Sequence, residues 1–209
     1  MPELEIPYRI DAALERGMEG CGLSREDALA LMEDGPLPAL LEAAAALRDR
    51  FKGRSVSYSR KVFIPLTHLC RDYCGYCTFR SDPQAGVRPY MMPEEVLAVA
   101  EAGRRAGCKE ALFSLGDQPE LIFPEAKEFL RKLGYERTLE YLAAMCELVL
   151  DKTGLLPHSN PGLMGAEDLR RLRETNVSVG LMLESASPTA KKGAVPATLR
   201  HVIRPCFHQ

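Results

Sequence analysis

An α/β fold on parallel strands, preceded by a helical N-terminal extension, is the class this sequence predicts, and three observations carry the prediction. From Lys61 onward, short apolar runs alternate with amphipathic stretches, the rhythm of βαβ units with right-handed crossovers. The first 60 residues carry helical signals only. The composition is that of an ordinary globular chain: 209 residues, 46 % hydrophobic, with 27 Lys and Arg against 29 Asp and Glu. Collagen-like, disordered and disulfide-scaffold chains are thereby excluded. A net charge of -2 with interspersed signs leaves no footprint for a nucleic-acid backbone. The polar N-terminus matches neither a signal peptide nor a membrane span, so the expected location is the cytoplasm, with thiols reduced.

In the extension, Ser24 is placed to cap SREDALALMED, with Asp27 three positions on as the reciprocal acceptor and Gly35-Pro36 as the stop. LPALLEAAAALRDRF follows, with Leu40, Leu41, Ala44 and Leu47 as its expected apolar face and Gly53 after it. KVFIPLT reads as the first strand, in which Pro65 argues for the strand's end or a sheet edge. Pro93 opens a helix whose first turn holds Glu94 and Glu95 and which Gly107 closes. EALFSL is the second strand, ending at Gly116-Asp117. EAKEFLRKL and Thr138 to Lys152 are helical, the latter with Leu139, Leu142, Ala143, Cys146, Val149 and Leu150 on a core-facing stripe. LLPHSN is the third strand, GAEDLRRLRETN a helix, and VSVGLMLES the fourth strand, ending near Glu184. Ligands in parallel α/β folds gather where strands run out into their following loops. That rule draws attention to the cysteine loop after the first strand, to Ser114 through Gln118, to His158 through Asn160, and to Glu184.

Seven cysteines are an odd number, and Cys70, Cys74 and Cys77 crowd into one short loop. In a reducing compartment such a cluster indicates metal or catalysis before disulfides. Thiolates suit zinc or iron-sulfur clusters. His68 could complete a Cys3His zinc site in a non-catalytic module. Three ligands alone would leave one iron of a cubane open for chemistry. Cys108 and Cys146 fall on or beside apolar elements as small core residues, and Cys21 and Cys206 receive no role.

The segment Cys70-Arg-Asp-Tyr-Cys74-Gly-Tyr-Cys77 has the CxxxCxΦC form and resembles that of radical S-adenosylmethionine (SAM) enzymes. Longer blocks narrow the likeness: YSRKVFIPLTHLCRDYCGYCTFR, YMMPEEVLAVAEAGRRAGCKEALFSLGDQPE, TGLLPHSNPGLM and GLMLES together resemble the FO synthase family, over roughly Tyr8 to Ser187. The resemblance implies the front part of a radical SAM (β/α) partial TIM barrel over residues 61–187, behind an extension over residues 1–60. It implies a [4Fe-4S] cluster on Cys70, Cys74 and Cys77, with SAM on the fourth iron through its amino and carboxylate groups. Tyr76 is then expected beside the adenine. Gly116 and Asp117, standing where the superfamily carries a GGE-like segment, are expected at the SAM amino group, and Glu184 at the ribose or amino-acid part. His158 and Asn160 are substrate candidates from their place at the same mouth.

The reaction implied is a radical lyase step. In it a tyrosine-derived 5-amino-5-(4-hydroxybenzyl)-6-(D-ribitylimino)-5,6-dihydrouracil adduct closes to the deazaflavin FO with loss of ammonia, in coenzyme F(420) biosynthesis. The sister radical SAM activity, which joins tyrosine to 5-amino-6-ribitylaminouracil, remains an alternative. The implied partners are the small-molecule substrate, an electron donor such as ferredoxin or flavodoxin, and the adduct-forming radical SAM enzyme. Residues 188–209 break the pattern: from Thr189 on there are four basic residues and no acid, leaving 23 basic against 29 acidic before it. Full (β/α)8 barrels run to about 250 residues. The expectation is a chain truncated at its C-terminus and short of part of its substrate wall.

Overall fold

A computed structural model of the chain describes residues 10–75 and 77–182, which fall into two compact units dividing between Tyr58 and Ser59. The first unit is three helices: α1 (Ile10–Glu19), α2 (Arg25–Asp34) and α3 (Leu37–Lys52). Ser24 caps α2 as expected. Its hydroxyl accepts from Asp27 N at 3.0 Å, and the Asp27 carboxylate accepts from Ser24 N at 2.9 Å. Arg16 of α1 joins the same buried carboxylate. On α3 the expected stripe is rotated. Leu40, Ala43 and Leu47 are half-buried, whereas Ala44 is exposed and Leu41 is 62 % exposed. The seam therefore runs along 40, 43 and 47, about 100° away from the line that Leu41 begins.

The second unit holds a parallel sheet in the order β1 (Lys61–Thr67), β2 (Glu110–Leu115), β3 (Leu156–Asn160), β4 (Ser178–Val179). Its helices are α4 (Pro93–Arg105), α5 (Pro124–Lys132), α6 (Thr138–Thr153) and α7 (Ala166–Arg173). Pro65 is accommodated because β1 is an edge strand among the described residues, and the ladder with β2 slips between Pro65 and Thr67. The fourth strand is shorter than its sequence suggests. Gly180 N still donates to Ser159 O at 2.8 Å, but strand geometry stops at Val179, and the segment from 183 lies outside the described residues.

Alternation along the strands separates two faces. Ile64, Leu66, Ala111, Phe113, Pro157 and Ser159 are buried on the helix side. There α6 contributes Leu139, Leu142, Cys146 and Val149 from its predicted stripe, and Tyr141 and Met145 besides. The other face carries Phe63, Leu112, His158 and Ser178 in one register row and Pro65, Ser114 and Asn160 in the next. Among the described residues no helix is long and apolar enough to cross a membrane.

A buried carboxylate ties the turn after β2 to the start of α6. Glu120, in the 3-10 turn Pro119–Leu121, accepts from Thr138 N at 3.1 Å and from Thr138 Oγ1 at 2.5 Å, and the Tyr90 hydroxyl lies 2.6 Å from the same Oγ1. Thr138 is the first residue of α6, so Glu120 serves an N–H that the helix cannot. Glu120→Ala strands two buried donors and is expected to cost about 2 kcal/mol in urea unfolding. The exposed control Glu128→Ala should stay within about 0.5 kcal/mol of the parent.

Candidate cluster and cofactor site

The site begins where β1 runs out. Leu69 forms a parallel bridge with Ser81, and Ser81 N donates to His68 O at 2.9 Å, so residues 70–80 form a loop closed at its base. Within it, Cys77 N donates to Cys74 O at 3.1 Å, a turn that folds Cys77 back toward Cys74. Arg80 secures the loop from inside. Its Nε donates to Cys70 O at 3.4 Å, its guanidinium carbon stands 3.5 Å from the centre of the Tyr73 ring, and its Nη2 pairs with Asp82 at 2.6 Å. Among the described residues Cys70, Cys74 and Cys77 take part in no disulfide.

Cys70 is the thiol most firmly set among the described contacts. Its Sγ accepts from Asp117 N at 3.2 Å and from Asp72 N at 3.4 Å. Burial pushes this thiol up from its ordinary range, the two backbone N–H bonds pull it down, and the carboxylates of Asp72 and Asp117 push it up again. A bound cation is what would favour the thiolate in that setting.

Asp117 arrives from the end of β2. Gly116 precedes it, and a Cβ built there would overlap the Leu69 carbonyl oxygen and come within 2.5 Å of Cys70 Cβ. Only glycine lets the two strand ends approach this closely. The Asp117 carboxylate is 8 % exposed and accepts from Arg71 Nη2 at 2.9 Å and Nε at 3.1 Å. Burial pushes its carboxyl up, opposed by the Arg71 charge and by hydrogen bonds from Arg71 and the Leu163 backbone. Arg71 supplies a positive charge to this carboxylate from within the same chain.

The structure therefore brings Cys70, Gly116 and Asp117 into direct contact, with Cys74 and Cys77 on the same closed loop. Asn160 lies in register with Ser114, two residues before Gly116, on the sheet face away from the helices. His158 is one row lower, its Nδ1 hydrogen-bonded to Ser178 Oγ of β4. Tyr76, Glu184 and the tail 188–209 lie outside the described residues.

His68 is not gathered with the thiols. Its Nδ1 donates to Phe79 O at 2.8 Å, and its ring packs 4.3 Å from that of Phe79. It lines a cleft of about 470 Å³ beside β1, with Leu66, Ser81, Pro83, Arg88 and Tyr90. Among the described residues no three His, Cys, Asp or Glu side chains converge as ligands of one ion. A cubane places its irons apart, so its cysteines need not share one point. Three cysteines outside any disulfide on one closed loop, the N–H donors on Cys70 and the glycine approach fit such a cluster.

Sequence reasoning missed the partner of Arg71, which lies 46 residues away. It also missed Leu163, whose carbonyl accepts from Gln118 Nε2 at 2.8 Å. The one available signal was the Pro161-Gly162 turn after β3, where Gly162 adopts φ +82° against the Asp117 side chain.

Comparison with known proteins agrees with this architecture. The chain is 44 % identical over 197 residues to FO synthase of Nocardia farcinica, an alignment covering 89 % of this chain and 23 % of that protein. It is 49 % identical over 132 residues to the 7,8-didemethyl-8-hydroxy-5-deazariboflavin synthase of Methanopyrus kandleri, covering 63 % and 40 %. It thus spans less than half the length of either relative. Among solved structures, methylornithine synthase superposes with a TM-score of 0.56 at 21 % identity, covering 81 % of this chain and 46 % of that one. The FeFe-hydrogenase maturase HydG of Carboxydothermus hydrogenoformans does so with a TM-score of 0.56 at 22 % identity, covering 79 % and 36 %. These neighbours share the partial-barrel fold. The Radical SAM superfamily model matches residues 64–205, from within β1 across the cysteine loop and the other described strands, and the chain belongs to that superfamily.

Proposed function

We propose that this chain carries the cluster- and SAM-binding part of a radical SAM enzyme of deazaflavin synthesis, the one that closes the tyrosine-derived adduct to FO with release of ammonia. The observation behind this reading is the reach of the likeness to FO synthase, 197 residues, far beyond the cysteine motif itself. In this reading Cys70, Cys74 and Cys77 hold a [4Fe-4S] cluster. When bound, cluster and SAM supply a 5'-deoxyadenosyl radical able to take hydrogen from carbon.

The protein's own contribution is placement and exclusion of water. The Gly116-Asp117 turn, pressed against Cys70, offers backbone at close range for the SAM amino group. Tyr76 and Glu184 are assigned to the adenine and to the ribose or amino-acid part. Ser114, His158 and Asn160 line the polar part of the sheet face next to that turn, with Phe63 and Leu112 beside them as apolar surface for an aromatic ring. His158 and Asn160 would hydrogen-bond the substrate. The electron donor would be of the ferredoxin or flavodoxin type, and the adduct would come from the sister radical SAM enzyme.

Anaerobic reconstitution with iron and sulfide, followed by reductant, SAM and each candidate substrate, tests the assignment. Release of 5'-deoxyadenosine and of FO with the adduct supports it. SAM cleavage only with tyrosine and 5-amino-6-ribitylaminouracil assigns the sister reaction instead. His68→Ala separates the cluster from a zinc module: the variant is expected to retain its full iron content, because His68 is engaged with Phe79. Loss of metal on this substitution would favour Cys3His.

A further inference from the structure

Residues 71 and 117 are joined three times over: Arg71 N donates to Asp117 O at 3.1 Å, and two guanidinium nitrogens grip one carboxylate oxygen at 2.9 and 3.1 Å. Both side chains are largely buried, at 19 % and 8 % exposure. On one side of this pair, the Asp117 peptide N–H meets Cys70 Sγ at 3.2 Å. On the other, Gln118 Nε2 donates to Leu163 O at 2.8 Å, and Gly162 packs against the Asp117 side chain. Gln118 itself is the one non-glycine residue with positive φ among those described, at 35°. Such a conformation persists only where the surroundings hold it. The loops after β1 and β2 are thus locked together at Asp117, the loop after β3 is tied to the adjacent Gln118, and the lock closes on a thiol.

We propose that Arg71 and Asp117 are positioning residues for the first cluster cysteine: their ion pair fixes the Asp117 peptide N–H on Cys70 Sγ, so that this sulfur is placed before any cluster arrives and serves it as a hydrogen-bonded ligand. The proposal rests on the reading of the three cysteines as cluster ligands. A buried ion pair contributes little net stability against an apolar substitute, but it specifies a geometry. The consequence for the cluster is electronic. An N–H donated to a ligating sulfur draws charge from it and favours the reduced state, so the midpoint potential rises with the bond and falls without it.

Two variants test the lock. Arg71→Met leaves the Asp117 charge without its guanidinium, and the double variant Arg71→Met/Asp117→Asn removes both charges, so that no buried ion is stranded. In the apoprotein, hydrogen exchange at the amides of positions 72 and 117 is expected to rise at least about tenfold in both variants, while amides in β1, β2 and α6 keep their wild-type protection. After reconstitution, the double variant is expected to hold wild-type iron with a more negative midpoint potential. Unchanged exchange at positions 72 and 117, or an unchanged potential with wild-type iron, overturns the proposal. Faster exchange throughout the strands of both variants overturns it too, since the pair would then maintain the fold rather than place a ligand. If the wild-type chain takes up no iron while the exchange difference at positions 72 and 117 persists, the cluster reading fails and the lock stands.

Discussion

Cys74→Ala is expected to reduce the iron retained after anaerobic reconstitution from about four per chain to less than about one, with loss of the brown charge-transfer absorbance. The loop supplies every protein ligand the cluster would have, and no fourth cysteine stands in reserve among the described neighbours of the site. The turn from Cys74 O to Cys77 N would survive the substitution, because it is made by backbone. The expected defect is therefore loss of a ligand, not of loop shape, and circular dichroism should be unchanged. Cys146→Ala is the matched control. Burial pushes the Cys146 thiol up to about 11, and its sulfur sits beside Ser159 and Asn176 on the helix side of β3. Its thiolate population at neutral pH is on the order of one in ten thousand, and its removal should leave iron content as it was. Iron retained by Cys74→Ala, or lost by Cys146→Ala, would contradict the placement of the metal on the β1 loop.

The second large effect is expected from one methyl group. Gly116→Ala puts a Cβ onto the Leu69 carbonyl and against Cys70 Cβ, and neither atom is the end of a flexible chain that can swing aside. The ends of β1 and β2 must separate, and with them the Asp117 N–H and Cys70 Sγ. The cost expected is at least about 1–3 kcal/mol in chemical denaturation, the range for overpacking in a close-packed interior, together with loss of most cluster binding. Gly134→Ala separates this steric cause from the general cost of replacing glycine. Gly134 follows α5 with φ +86° and open space around its Cβ position. That substitution should cost about 1–2 kcal/mol of backbone strain and leave iron uptake intact. If both variants lose iron alike, the close approach at Gly116 is not what shapes the site.

Much of this architecture was legible because it is written in local patterns. The Ser24 and Asp27 pairing was readable from two residues three apart. The α6 stripe and the β1, β2 and β3 runs followed from period and from the glycines and prolines that bound them. Where the reading failed, the missing information was nonlocal. Nothing near Leu41 says on which side of α3 the neighbouring helices lie. Nothing near Val179 says that strand geometry stops there. The same limit governed the site. Three cysteines in eight residues advertise themselves, but nothing near Arg71 says that β2 will deliver Asp117 beside it.

The sequence by itself determined the class of fold, through apolar period and strand-ending turns, and displayed the cysteine motif whose likeness points to the superfamily, because each is carried by short-range spacing. Only the tertiary structure decided what the Gly116-Asp117 turn touches. Parallel pairing of β1 with β2 brings residues 46 positions apart into contact, so that a carboxylate suited to an ammonium ligand meets an arginine from its own chain, and the peptide between them meets a sulfur. That outcome depends on register and crossover geometry, which no local run of residues encodes.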